Sequence, residues 1–160
     1  CGRPPGHDRF APGDQRATRP MTVQTIGDVV FGDEIPPWQP DTSLKAARSF
    51  AQAVGYSGSG RFEDHEKARA QGLPGALVPG IMGMGFLTSM IHRWAPQGKV
   101  KHIDTVFRAP VLADHDHTVT AVVTDIDEEN DEVVLDLTIK NAQEETRVFG
   151  TATVRFPPAG

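Results

Sequence analysis

Cysteine is nearly missing from this 160-residue chain, the one thiol being Cys1. An internal disulfide framework and a thiolate zinc cage are thereby excluded. Long apolar runs are missing as well, none reaching the about 20 residues that span a bilayer, so no membrane is expected. Positive charge is in the minority, with 16 Lys and Arg against 21 Asp and Glu for a net charge of −5, and no basic stripe stands out. A polyanion-binding surface is not expected, and nucleic acid is a poor partner. A fold that needs no disulfide is at home in the cytosol, which is the expected location. What remains is 38% hydrophobic and 23% charged residues, the composition of a globular protein with material for one core.

Residues 1–20 read CGRPPGHDRFAPGDQRATRP, rich in Pro, Gly and Arg and without hydrophobic periodicity or the apolar centre of a signal peptide. They are expected to be a disordered extension, with one folded domain over 21–160. Gly32 and the pair Pro36-Pro37 break a β-prone stretch into an edge segment. Thr42 or Ser43 then caps a helix whose one face carries Leu44, Ala47, Phe50, Ala51 and Val54, with Gly55 as its stop. After the glycine-rich loop 56–62, EDHEKARAQG predicts a short helix that starts acidic and ends basic.

Residues 81–91 are apolar or glycine all the way round apart from Thr88 and Ser89, which predicts a helix buried on most of its circumference. Gly80, Gly83 and Gly85 each cost about 1 kcal/mol of helix propensity relative to Ala, so close approach by a neighbour or a ligand is expected there. Beyond Pro96 the pattern alternates. VKHIDTVFRAPV, HTVTAVVTDI, EVVLDLTIKN and TRVFGTATVRF predict strands in an antiparallel meander, one face covered by that helix. Ile81, Met84, Leu87 and Ile91 are expected to pack on Val133, Leu135, Leu137 and Ile139.

The order of GDVVFGDEIPPW, a short amphipathic helix, AVGYSGSGRFEDHEKARAQGLPGALVPGIMGMG, VFRAPVLADHDHTVTAVV and FGTATVRF resembles the MaoC-like (R)-specific enoyl-CoA hydratase family over residues 26–156. The resemblance implies an α+β hot-dog domain, an antiparallel sheet wrapped around a central buried helix. It also implies an acyl-thioester hydratase or dehydratase of lipid metabolism, with an acyl-CoA or acyl-carrier substrate and no cofactor. A homodimer or a heterodimer with another MaoC-like chain is implied too.

In that family an Asp and a His five positions apart activate water, and a helix-opening Gly donates its N–H to the thioester oxygen. Laying Asp64 and Ala68 on the family's loop end and short helix puts Ser57 at the Asp and Phe62 at the His, so both catalytic side chains are substituted. Gly80 falls on the oxyanion-hole Gly, with Ile81 beside it for substrate binding. Thr88 falls where the family often has a hydroxyl that supports the Asp. Serine does not titrate in the working range and phenylalanine carries no proton, so neither replaces an acid–base group.

His65 reaches the family His position if the loop slips by three residues, and Asp64 is the other nearby ionisable group; otherwise Asp64 caps the short helix and His65 lies in its first turn. The alternation of Asp114-His115-Asp116-His117 places two histidines at a metal-ligand spacing, with His102 as a remote third. A solvated loop accounts for them, and no metal is expected. Met82, Met84 and Met90 fit core filling or an acyl channel. The functional alternatives are thus a hydratase or dehydratase, or a silent subunit that shapes the acyl tunnel of an active partner. A hot-dog thioesterase would need a carboxylate aimed at the thioester, and none is placed on the helix.

Overall fold

The computed structural model describes residues 22–158; the extension expected over 1–20 lies outside the described residues. The elements run β1 (Glu34–Trp38), α1 (Leu44–Ala53), α2 (His65–Ala70), α3 (Gly80–Trp94), β2 (Lys99–Phe107), β3 (His117–Asp127), β4 (Glu132–Asn141) and β5 (Thr146–Arg155). Ser43 caps α1 by accepting from the Ala46 N–H at 3.1 Å, and Gly55, at a φ of 80°, ends it.

The strands form one antiparallel sheet in the order β1-β3-β4-β5-β2. This corrects the expected plain meander. β3, β4 and β5 follow one another as hairpins, whereas β2 sits beyond β5 and β1 beyond β3. The reason lies in residues 108–116, a connection holding Pro110 that is too long for a tight hairpin and carries the chain across the sheet.

Alternation sets the inner face. Val119 opposes Ile139, Ala121 opposes Leu137 and Val123 opposes Leu135, all buried. Position 150 also faces inward, and β2 bends so closely over it that a Cβ on Gly150 would overlap the Asp104 carbonyl oxygen. Only glycine leaves room for this curl, which wraps the sheet around α3.

The helix contacts β1, β2, β3 and β4. Its buried side chains are Met82, Phe86, Leu87, Met90, Ile91 and Trp94. Each fully buried large residue here contributes about 1.5–3 kcal/mol relative to exposure. The expected packing set therefore needs correction: Leu87 and Ile91 are on the inner face, but Ile81 is 53% exposed and Met84 only half-buried. One sheet covers one side of a helix, and the opposite side of α3, with Ile81, Gly85, Ser89 and His92, is exposed.

Candidate functional site

The segment before α3 positions the site. Val78 N–H donates to the Val111 carbonyl at 2.8 Å and Ala113 N–H to the Ala76 carbonyl at 2.9 Å, tying the entry of α3 to the connection that follows β2. Pro79 is the N-cap, and the helical ladder begins with Gly83 N–H donating to the Pro79 carbonyl at 3.1 Å. The N–H groups of Gly80, Ile81 and Met82 precede that ladder, where a helix leaves donors without intrahelical partners.

Gly80 lines an open cleft of about 340 Å³. Phe62, Val78, Pro79, Phe107 and Val148 give it apolar walls, with the Phe107 ring 3.4 Å from where a Cβ on Gly80 would lie. Among the described residues, Arg61 and Arg108 are the charged ones of its lining, and no Asp, Glu or His lines it.

Phe62 and Gly80 thus come together as two positions of one cleft. Phe62 stacks on Tyr56 with ring centroids 5.9 Å apart, whereas Ser57 is exposed and outside the cleft lining. The loop between them is anchored from several sides. Arg48 donates to the Glu63 carbonyl at 2.6 and 3.1 Å, Gly58 N–H donates to the Glu63 carboxylate at 3.1 Å, and Gln71 donates to the Ser59 carbonyl at 2.6 Å. Gly58 and Gly60 hold left-handed φ values of 87° and 79°.

Asp64 caps α2, accepting from the Lys67 N–H at 2.9 Å, and that bond is the main reason its carboxyl titrates below the ordinary value. His65 occupies the first turn of α2. Its Nδ1 accepts the Ala76 N–H at 3.0 Å, which leaves Nε2 to carry the proton and donate to Asp114 Oδ2 at 2.7 Å. Asp114 also accepts the Leu44 N–H at 2.8 Å, and the bond from His65 chiefly holds its carboxyl below the ordinary range. His65 is therefore engaged on both ring nitrogens, outside the cleft lining.

Thr88 donates its hydroxyl back along its own helix, to the Met84 and Gly85 carbonyls at 3.2 and 3.0 Å. Ile81 is exposed, one residue into α3. The close approach expected at the glycines differs by position: Phe107 is near Gly80, Ile139 lies in ordinary contact beside Gly83, and nothing lies within 4 Å of a Cβ on Gly85. His115 and His117 each donate from Nδ1 to a backbone carbonyl, of Ala113 at 3.0 Å and of His115 at 2.9 Å. His117 is buried, and that burial lowers its pKa below 6.5. Among the described residues no three His, Cys, Asp or Glu side chains gather as a metal site, and no helix is long and apolar enough to cross a membrane.

Three contributors escaped sequence reasoning. Arg61 and Arg108 carry no motif, and Asp114 reads as a loop residue until its φ of 63° and its two bonds join α1 to α2.

No family model and no curated protein matches the sequence. Solved structures do resemble the fold. The R-hydratase PhaJ1 from Pseudomonas aeruginosa superposes with a TM-score of 0.77 at 15% identity, over 85% of this chain and 87% of that one. This chain has the hot-dog fold. A chain of the ChsH1-ChsH2 complex from Mycobacterium tuberculosis gives a TM-score of 0.72 at 20% identity, over 80% of this hot-dog chain and 98% of that one. A MaoC-like dehydratase gives 0.76 at 23% identity, covering 97% of this chain and 48% of that one, so the present chain spans about half its length. The structural neighbours thus include an R-hydratase and MaoC-like dehydratases.

Proposed function

We propose that this chain is a MaoC-like acyl-thioester protein that holds the thioester of an enoyl or hydroxyacyl substrate in the Gly80 cleft, while an active partner of the same type supplies the acid–base groups. The lining of the cleft carries this reading. Phe62 stands where the resemblance expects the histidine, and among the described residues no Asp, Glu or His lines the cavity beside Gly80. A helix N-terminus polarises a carbonyl by aiming backbone N–H groups at the oxygen on which charge develops. Polarisation without a proton acceptor binds the ester and leaves water unactivated.

Water adds across an activated double bond by moving a proton and a hydroxide equivalent, so the reaction calls for no redox cofactor. A second copy of this chain would bring the same Ser57 and Phe62, which favours a partner with Asp and His intact. The fold-level likeness to a chain of the ChsH1-ChsH2 complex supports such a pairing.

Loss of enoyl-thioester absorbance measures hydration. The purified chain alone is expected to hydrate crotonyl-CoA and longer trans-2-enoyl-CoA no faster than background, since each general acid or base contributes typically about 10²–10⁴-fold. Phe62→His, which places a titratable ring in the cleft lining, is expected to raise turnover above that background. Robust activity of the unaltered chain, abolished by His65→Ala, would overturn the reading and show a working hydratase with a displaced histidine.

A further inference from the structure

A second cavity, of about 310 Å³, shares Pro110 with the Gly80 cleft and is bordered by the start of β3 and the β4–β5 turn. Leu112 and Ala142 belong to its apolar lining, and His115, Asp116, His117 and Arg147 to its polar one. His117 takes the first position of β3, in the inward series that continues through Val119 and Ala121, and is only 2% exposed. Apolar side chains usually fill such positions. The Nδ1–H of His117 is spent on the His115 carbonyl, so in the neutral ring Nε2 carries a lone pair, and burial favours that neutral form. Nε2 has no hydrogen-bond partner among the described residues, where no fully enclosed side-chain nitrogen or oxygen is left unpaired, so this atom opens onto the cavity. A buried acceptor left open calls for a donor.

The neighbours of His117 set the charge of that donor. Arg147 is matched by Glu145 at 2.6 Å, and the same carboxylate oxygen takes the Asn141 amide N–H at 2.7 Å. His115 spends its own Nδ1–H on the Ala113 carbonyl, which leaves a second lone pair on Nε2 of its neutral ring. Asp116 is exposed and has neither a hydrogen-bond nor an ion-pair partner among the described residues. The lining therefore offers imidazole lone pairs and one unmatched negative charge. We propose that this cavity binds a free primary alkylammonium ion, its N–H donating to His117 Nε2, its charge set against Asp116 and its short chain lying on Leu112 and Ala142. A carboxylate ligand would meet Asp116 with like charge, and a metal ion would find no third ligating side chain among the described residues. Charge-assisted hydrogen bonds of this kind are about twice as strong as neutral ones. The acyl-thioester reading of the Gly80 cleft uses none of these groups.

Calorimetry of the full chain near neutral pH with n-butylammonium, n-butanol and tetramethylammonium tests the assignment. Butanol keeps a donor without the charge, and tetramethylammonium keeps the charge without a donor. n-Butylammonium is expected to bind roughly tenfold tighter than either at low salt, with the margin shrinking as salt screens the exposed Asp116. Asp116→Asn and His117→Leu are each expected to remove most of that margin. The Leu variant should fold, because the His115 carbonyl keeps its bond from the Thr42 hydroxyl at 2.6 Å and an apolar side chain suits the position. In the unaltered chain the nitrogen NMR signal of His117 Nε2 should move as n-butylammonium is added. Equal affinity for the three probes, an unchanged margin in Asp116→Asn, or an unmoved His117 signal overturns the site. Tighter binding of lysine blocked at both its α-amino and carboxyl groups than of n-butylammonium overturns the free amine as ligand.

Discussion

Single residues decide where the candidate groups point. Asp114 accepts from both Leu44 N–H and His65, so one carboxylate joins the start of α1 to the first turn of α2. Asp114→Ala is expected to lower stability by about 2 kcal/mol, since two hydrogen bonds are lost and a left-handed residue loses its polar side chain. Chemical denaturation of the purified variant measures it. The folded pKa of Asp114 lies below 3.8, so its contribution is fully present above that value and is lost as pH falls through the folded pKa. Stability should accordingly fall as pH drops below the ordinary carboxylate range, and Asp114→Asn should flatten part of that dependence. At the cleft, Pro79 has φ −55° and ψ 138°, the extended conformation that a following proline requires. Gly80→Pro therefore removes one N–H without breaking the helix, and calorimetry should show weaker acyl-thioester binding by a chain that keeps its melting temperature within a few degrees. Unchanged thioester affinity would remove Gly80 from the site.

The elements respond to their glycines in opposite ways. On α3, position 85 has open space around a Cβ, so Gly85→Ala should stabilise the chain by about 1 kcal/mol through helix propensity and a less flexible unfolded state. On β5, Gly150→Ala should cost about 3 kcal/mol or more, because the new methyl overlaps the Asp104 carbonyl and forces β2 away from β5. Thermal melts of the two variants should move in opposite directions. A sequence pattern identifies a glycine but not the atoms opposite it, so the period does not separate the two positions. The alternation of β4 was legible because Val133, Leu135, Leu137 and Ile139 repeat at the strand period and all four are buried. The face of α3 was not, because apolar residues on every side of a helix leave no stripe to select.

At the scale of the molecule, among the described residues β2 is paired only to β5 and its other edge is open. Val106 and Phe107 on that strand are 49% and 50% exposed, and Ile81 on α3 is 53% exposed. An open edge with apolar side chains invites another strand or chain. If a MaoC-like partner docks there, Val106→Asp should shift the sedimenting species from a dimer to a monomer while the far-UV dichroism stays that of the folded chain. An unchanged dimer would place the interface elsewhere.

The sequence by itself determined the order of helices and strands along the chain and the layering of α3 on β4, because these depend on local period and on residue identity. Only the tertiary structure decided that β2 crosses to the far side of β5, that Phe62 and Gly80 share one cleft while Ser57 stays outside it, and that His65 is held between Ala76 and Asp114. Residues 61, 80 and 108 meet through strand order, loop closure and the curl at Gly150. Such long-range contacts depend on how the whole chain packs, and no local window of the sequence contains them.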